Sequence, residues 1–301
     1  MSKLYEVCVE MENRCHLNCL HCSSYDMRQS KIDYNYSDLI NFFQIFDSRL
    51  HVYLTGGEPL INSNLSMLIN EIKEISPQVE VGIFTCGICE NLNPIDFELA
   101  KKLKISGLDD SYVSLYHFNS KKHDKITALS GSHKTTCKTI ENLLKAGIEV
   151  KIHLVINSLN YLEIPEIIKY LLEHQVSQVR LLRIVKTGNA ADNWEFVGVP
   201  YEAQNMVIQK IMGTIDCYSS KLTISGFPEQ VACRPFPGAQ KCQAGTHVLY
   251  ICSNGNVYPC ACTKNFENLS IGNISNLEPI RKYLNTQKVR NCNEHCLNPI
   301  S

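Results

Sequence analysis

Cys15-His16-Leu17-Asn18-Cys19-Leu20-His21-Cys22 places three thiols on eight consecutive residues. Three thiolates at this spacing can grip three corners of an iron–sulfur cube. A [4Fe–4S] cluster normally takes four cysteines, and the next one along the chain is Cys86. One iron would then keep an open coordination position, able to bind a further ligand. Other readings of the same residues stand beside this one. The three thiols with His16 or His21 can build a zinc knuckle, because zinc accepts mixed sulfur and nitrogen ligands. They can also be disulfide partners or plain buried cysteines. The run Glu-Val-Cys-Val-Glu at residues 6–10 reads as a strand, so the thiol loop leaves a strand end, where α/β proteins collect their ligand sites.

A second signal lies at Leu54-Thr55-Gly56-Gly57-Glu58-Pro59, after a second strand-like run at residues 51–54. Two adjacent glycines let a backbone approach a ligand closely, and a carboxylate at Glu58 suits an ammonium partner. Alone, the motif reads as a turn. Together with the thiol loop it resembles the radical S-adenosylmethionine (SAM) superfamily. The resemblance implies that Cys15, Cys19 and Cys22 hold the cluster, that SAM chelates the open iron, and that Gly56, Gly57 and Glu58 meet the SAM amino group. It implies reductive cleavage of SAM to a 5′-deoxyadenosyl radical that abstracts a hydrogen atom from substrate, with a flavodoxin- or ferredoxin-like electron donor.

Composition narrows the remaining classes. The 301 residues allow about two domains, or one large α/β unit with an appendage, and 44% hydrophobic residues supply a sizeable core. A formal charge of −1 argues against nucleic-acid or anionic-membrane binding. No apolar run approaches the roughly 20 residues of a membrane span, and Met-Ser-Lys-Leu-Tyr-Glu is not the start of a signal peptide. Fifteen cysteines with no export signal point to metal or redox chemistry in a cytoplasmic enzyme.

The pattern of elements alternates. Strands are expected at 6–10, 51–54, 80–85, 112–116, 149–156 and 179–185, and helices at 38–46 (capped by Ser37), 65–75, 96–103, 134–146 and 164–173. Gly147 is suited to stop the helix before it. Such alternation implies βαβ units and a parallel sheet. Six units match the family's partial (β/α)6 TIM-like barrel, and the resemblance covers roughly residues 5–190. It further implies that Ser114, at the end of the fourth strand, and Arg183, on the sixth, contact SAM. His123-Asp124 with Gly131, and Thr187-Gly188-Asn189-Ala190, resemble segments of the same family. Thr85-Cys86-Gly87 departs from it, because relatives often carry Asn at the middle position. Cys86 and Cys89 are expected at the mouth of the barrel.

Small and polar residues from 186 to 200 mark a boundary, and a helix is expected over 201–215. The chain divides into a barrel at 1–190, a linker with a helical connection at 191–240 and a small domain at 241–301. In that last part 248–251 and 257–258 flank Ser253-Asn254-Gly255-Asn256, whose Asn-Gly favours a tight hairpin, and 277–283 is helix-like. Cys242 followed by Gly255 and Cys260 resembles the first half of the SPASM/twitch extension of radical SAM enzymes. The resemblance implies one auxiliary [4Fe–4S] cluster on Cys242, Cys260, Cys292 and Cys296, in the shorter twitch form. Zinc held by the same four thiolates is the alternative, and Cys252 or Cys262 can replace a ligand. Cys8 and Cys137 read as core residues, and Cys217 carries no signal. Some relatives return a hydrogen atom to a substrate radical from a thiol, and Cys86, Cys89, Cys233 and Cys262 are the candidates here.

The activity expected is maturation of a ribosomally made peptide by crosslinking or epimerisation. The alternative is a small-molecule dehydrogenase acting on a substrate such as an amino sugar; a more distant one is a non-catalytic iron–sulfur or zinc protein, for which the Gly56-Gly57-Glu58 loop has no use. The chain begins at the first strand, which leaves no room for an N-terminal peptide-recognition domain and weighs slightly against the peptide reading.

Overall fold

The computed structural model describes residues 4–24, 31–212, 221–227 and 243–286. The described residues build one ten-stranded sheet. Strands β1 (Leu4–Glu12), β2 (Arg49–Gly56), β3 (Glu80–Thr85), β4 (Asp110–Ser114), β5 (Glu149–Val155) and β6 (Gln178–Leu182) lie side by side in chain order, each parallel to the next. β7 (Leu222–Ser225) adds in parallel beyond β6. At the other edge β8 (Val248–Ile251) pairs in parallel with β1, followed outward by antiparallel β9 (Asn256–Tyr258) and β10 (Gly272–Asn273).

Helices connect the parallel strands: α1 (Tyr36–Phe43), α2 (Leu65–Ile75), α3 (Phe97–Ile105), α4 (Ser120–Thr127) with α5 (Ser132–Lys145), and α6 (Ile164–Glu173). Their apolar residues recur at helical spacing, as Leu39, Phe42 and Phe43 in α1 or Leu65, Leu68, Ile69 and Ile72 in α2. They pack on the alternate strand residues Val7, Val9, Met11, Val52, Leu54, Val81, Ile83, Ile152 and Leu154, forming the main core. The opposite strand face is buried too, under Cys8, Tyr53, Tyr112, Tyr250, Cys252 and Tyr258. Burial on both faces also encloses polar residues that alternate with the apolar ones along these strands, such as Glu10, His153 and Arg180.

The sheet curls. Neighbouring strands are spaced by about 4.8 Å, so β1 and β6 would be far apart in a flat sheet. Instead Arg180 on β6 donates to both carboxylate oxygens of Glu6 on β1, at 3.2 and 3.1 Å. The Arg180 guanidinium also lies 4.5 Å from the ring centre of Tyr112 on β4. These interior contacts define a partial TIM-like barrel carrying a C-terminal extension.

The six expected strands and the C-terminal hairpin are present. After β6 come the short helices α7 (Asn189–Asp192) and α8 (Trp194–Val197), then α9 (Tyr201–Met212), and α10 (Glu278–Thr286) closes the described chain. Three details differ from the sequence reading. α1 starts at Tyr36 after Asn35, and Ser37 falls inside its first turn instead of capping it. α4 was not expected, because its Lys-rich sequence has little apolar periodicity. β7 lies in the segment read as linker; its four residues are too short for a period-two pattern to register. No helix of the described residues is long and apolar enough to cross a membrane.

Candidate active site

The thiol loop is held from four sides. At its start the Glu12 carboxylate accepts from the Asn13 and Arg14 backbone N–H groups, both at 3.0 Å, and from the Arg14 guanidinium. Burial raises the Glu12 carboxyl, but the bonds and charge of Arg14 prevail and hold it below the usual range. In the middle, the N–H groups of Asn18 and Leu20 donate to the carbonyls of Thr127 and Ile126 at the end of α4. From the β6 side, Asn189 Nδ2 donates to Asn18 Oδ1 at 2.9 Å and to the Cys19 carbonyl at 3.1 Å. Gly188, at φ +53°, lies so close that a Cβ there would sit 2.7 Å from the Cys22 carbonyl oxygen. The Thr187-Gly188-Asn189-Ala190 segment thus has a concrete task, to grip the thiol loop. Cys15, Cys19 and Cys22 gather with Leu17, Cys86, Ile88 and Leu129 into one small cluster.

The Gly-Gly-Glu turn closes the fourth side. Gly57 N–H donates to the Glu12 carbonyl at 2.5 Å and Glu58 N–H to the Arg14 carbonyl at 2.8 Å. Gly56 has φ +124°, where side-chain residues are strained. A Cβ on Gly57 would overlap the Arg14 carbonyl oxygen and lie 2.6 Å from that of Asn13. The close approach inferred from the glycines is therefore made to the thiol loop's own backbone. Glu58 is fully buried: one carboxylate oxygen accepts from Leu60 N–H at 2.9 Å and the Thr85 hydroxyl at 2.6 Å, the other from Cys86 N–H at 2.6 Å. Burial pushes its carboxyl up, against these donors. Glu58 ties the end of β2 to the end of β3, and the cavity wall beside it is made by Gly56 and Gly57.

A cavity of about 360 Å³ opens at the C-terminal ends of the strands. Its wall includes Cys15, Cys19, Cys22, Gly56, Gly57, Cys86, Ser114 and Arg183, which the sequence singled out, and Cys262 from the C-terminal extension. His21, named above only as a possible zinc ligand, lines it too, as do Tyr116, His153 and Ser225, which the sequence reading did not mark as site residues. Burial lowers the His21 imidazole to about 4, and burial together with Arg180 holds His153 well below its usual value. Both are neutral at pH 7. Cys86 keeps its proton as well: a hydrogen bond with Cys15, then burial, pushes its thiol up. Cys89 packs against the main core instead of lining the cavity, and burial lifts its thiol to about 12. Cys8 and Cys252 are buried and Cys137 is half-buried against the core. Cys260 is half-buried at the start of the turn Ala261–Thr263. Cys217, Cys233, Cys242, Cys292 and Cys296 lie outside the described residues.

Three thiols lining one cavity fit a cube in which each sulfur meets its own iron. Among the described residues no three Cys, His, Asp or Glu side chains are close enough together to hold a single ion. The adjoining space, lined by glycine backbone, Ser114 and Arg183, suits a zwitterionic cofactor carrying a ribose.

Tyr116 owes its place to His123, a residue whose signal in the sequence was only a resemblance. Fully buried His123 accepts the Tyr116 N–H on Nδ1 at 3.2 Å, and Asp124 beside it accepts from Gly131 and His133 N–H and the Ser132 hydroxyl. Burial, then His133, lowers the His123 imidazole to about 3. An unfolded chain takes up a proton near pH 6.5 that the folded one refuses, so stability falls as pH drops from about 6.5 toward 3. His123→Asn is expected to flatten this dependence by up to about 1.4 kcal/mol per pH unit, read from urea unfolding between pH 7 and 4. Parallel curves for variant and wild type would contradict the buried neutral histidine.

Barrel, thiol loop and glycine turn together define the class of iron–sulfur proteins that use S-adenosylmethionine. The Radical SAM superfamily model matches residues 9–171, more than half of the 301, and the chain belongs to that superfamily of enzymes. The model of the SPASM iron–sulfur cluster-binding domain matches residues 242–299. SAM and a [4Fe–4S] cluster are accordingly the cofactors of the barrel, and the C-terminal domain binds iron–sulfur. Among curated relatives, a probable GTP 3′,8-cyclase of Sulfurisphaera tokodaii is 27% identical over 191 residues, 62% of this chain and 58% of its own. The mycofactocin maturase of Mycolicibacterium smegmatis is 26% identical over 261 residues, 83% of this chain and 62% of its own. The chain thus spans about three fifths of each. Streptococcus suis SuiB, solved bound to its precursor peptide SuiA, superposes with a TM-score of 0.71 at 16% identity, over 94% of this chain and 65% of that one. That likeness is one of fold.

Proposed function

We propose that this protein is a radical SAM enzyme that matures a ribosomally made peptide by crosslinking or epimerisation. Cys15, Cys19 and Cys22 hold the cluster, and the backbone of Gly56 and Gly57, with Ser114 and Arg183, orients SAM. The bound pair supplies a 5′-deoxyadenosyl radical on reduction by a flavodoxin- or ferredoxin-like donor. The chain's own work is positional. The buried braces Glu12, Glu58 and Asn189 hold the loop rigid, and the cavity keeps water from the reacting carbon, since such steps are governed by alignment. Cys242, Cys260, Cys292 and Cys296 are assigned to an auxiliary cluster. Of the four thiols considered as hydrogen donors, Cys86 and Cys262 border the cavity.

The observation that carries the peptide class is the reach of the maturase match. It runs over 83% of this chain, whereas the cyclase match covers 62%. The cyclase relatives support the alternative, a small-molecule substrate such as that of a twitch-type dehydrogenase. The test is anaerobic turnover of the reconstituted protein with dithionite, SAM and, as probes, synthetic peptides encoded by short reading frames beside its gene. A peptide that loses two hydrogens, or that gains solvent deuterium without other change, is the expected result. Unchanged peptides, with GTP or an amino sugar consumed in their place, would overturn it.

A further inference from the structure

Glu10 stands on the inner face of β1 just before the thiol loop, and Lys264 follows the turn Ala261–Thr263 in the C-terminal extension. Their ion pair, Lys264 Nζ to Glu10 Oε1, measures 2.7 Å, with side chains 2% and 1% exposed. So deep a charge pair is tolerated only if most of its remaining bonding capacity is filled. It is. Glu10 also accepts the Tyr250 hydroxyl at 2.8 Å and the Ser253 N–H at 2.9 Å. Lys264 makes a second bond, to Ser24 Oγ at 2.7 Å.

Ser24 is two residues beyond Cys22, and that bond joins the C-terminal extension to the chain leaving the thiol loop. A matching tether lies on the far side of residues 25–30. Asp33 N–H donates to the Ser253 carbonyl at 2.7 Å, and the Tyr34 hydroxyl donates to the Glu10 carbonyl at 2.8 Å. Apolar residues of similar volume would hold β1 against the extension as well as this pair does or better. What they could not supply is a directed bond to Ser24. Cys262, two residues before Lys264, borders the same cavity as Cys22.

We infer that Lys264 is a positioning residue: through Ser24 it sets the path of the chain after Cys22, so that the iron–sulfur extension holds the SAM-cluster loop in place. The inference rests on Cys15, Cys19 and Cys22 holding that cluster. Ser24→Ala removes one bond and leaves the buried pair intact, whereas Lys264→Met with Glu10→Gln removes both charges together and leaves neither unpaired. Each protein is reconstituted anaerobically and compared by the EPR spectrum of the reduced cluster with and without SAM, by the rate of iron release to a chelator and by thermal unfolding.

Ser24→Ala is expected to stay folded with an unfolding transition lowered by only a few degrees, to lose the wild-type response of the g values to SAM, and to release iron about tenfold faster, the size expected for one lost hydrogen bond to a charged group. The double variant should show the same two defects, and Ser24→Thr, which keeps the hydroxyl, should restore both. Wild-type spectra and release rates in Ser24→Ala would overturn the inference, whatever the double variant does. A wild-type protein with no SAM-responsive cluster signal would instead overturn the function proposed for the site, and the role of Lys264 with it.

Discussion

Replacing Cys15, Cys19 and Cys22 together with alanine is expected to abolish 5′-deoxyadenosine formation and to lower bound iron by about four atoms per chain. The three thiols line the cavity together with the glycine turn and Arg183. The other thiols bordering the cavity, Cys86 and Cys262, cannot replace three ligands, and Cys86 keeps its proton. The loop itself should survive, because its main anchors are backbone and amide groups: Asn18 and Leu20 to the end of α4, and Asn189 to Cys19. Iron analysis, deoxyadenosine chromatography and circular dichroism on the same preparation check the three parts. Deoxyadenosine formed at the wild-type rate would remove the foundation of the functional reading.

Gly57→Ala should be nearly as damaging, for a reason that has nothing to do with ligand contact. The added methyl would fall on the Arg14 carbonyl oxygen and within 2.6 Å of the Asn13 one, both backbone atoms of the loop just past the end of β1. Neither can rotate away. Relief requires pulling the turn from the thiol loop, which breaks Gly57 N–H to Glu12 and Glu58 N–H to Arg14. Overpacking with two lost bonds sets the cost at about 3 kcal/mol or more. A lower urea midpoint and poor cluster incorporation are the expected observations. A variant as stable as wild type, with full iron content, would show that the two segments are not locked together.

Much of this architecture was legible in the residues. Long buried strands such as 80–85 and 149–155 carry enough apolar and β-branched side chains to announce themselves, and so do helices with a marked apolar stripe such as α2 and α6. β7 and α4 escaped because one is four residues long and the other is mostly polar, and each is fixed by what it packs against. The same division holds at the site. Cys15, Cys19, Cys22, Gly56 and Gly57 form local patterns, and local patterns can be read. Glu10 and Lys264 are 254 residues apart in the chain, and a partnership at that distance leaves no periodic trace. Glu58 was noticed for its charge, yet its carboxylate is spent on Leu60, Thr85 and Cys86. The sequence shows that a carboxylate is present, and only the fold shows which way it turns.

The pairing of β8 with β1 bears on how the molecule is made. β1 is synthesised long before one of its two neighbours, Val248–Ile251. Until that neighbour arrives the outward backbone groups of residues 6–9 are a bare edge, open to any passing strand. Such late closure between distant parts of a chain slows folding and prolongs exposure to misassembly. The charged pairs Glu6–Arg180 and Glu10–Lys264 can be formed only by the right partners, and they discourage a foreign strand from occupying that edge.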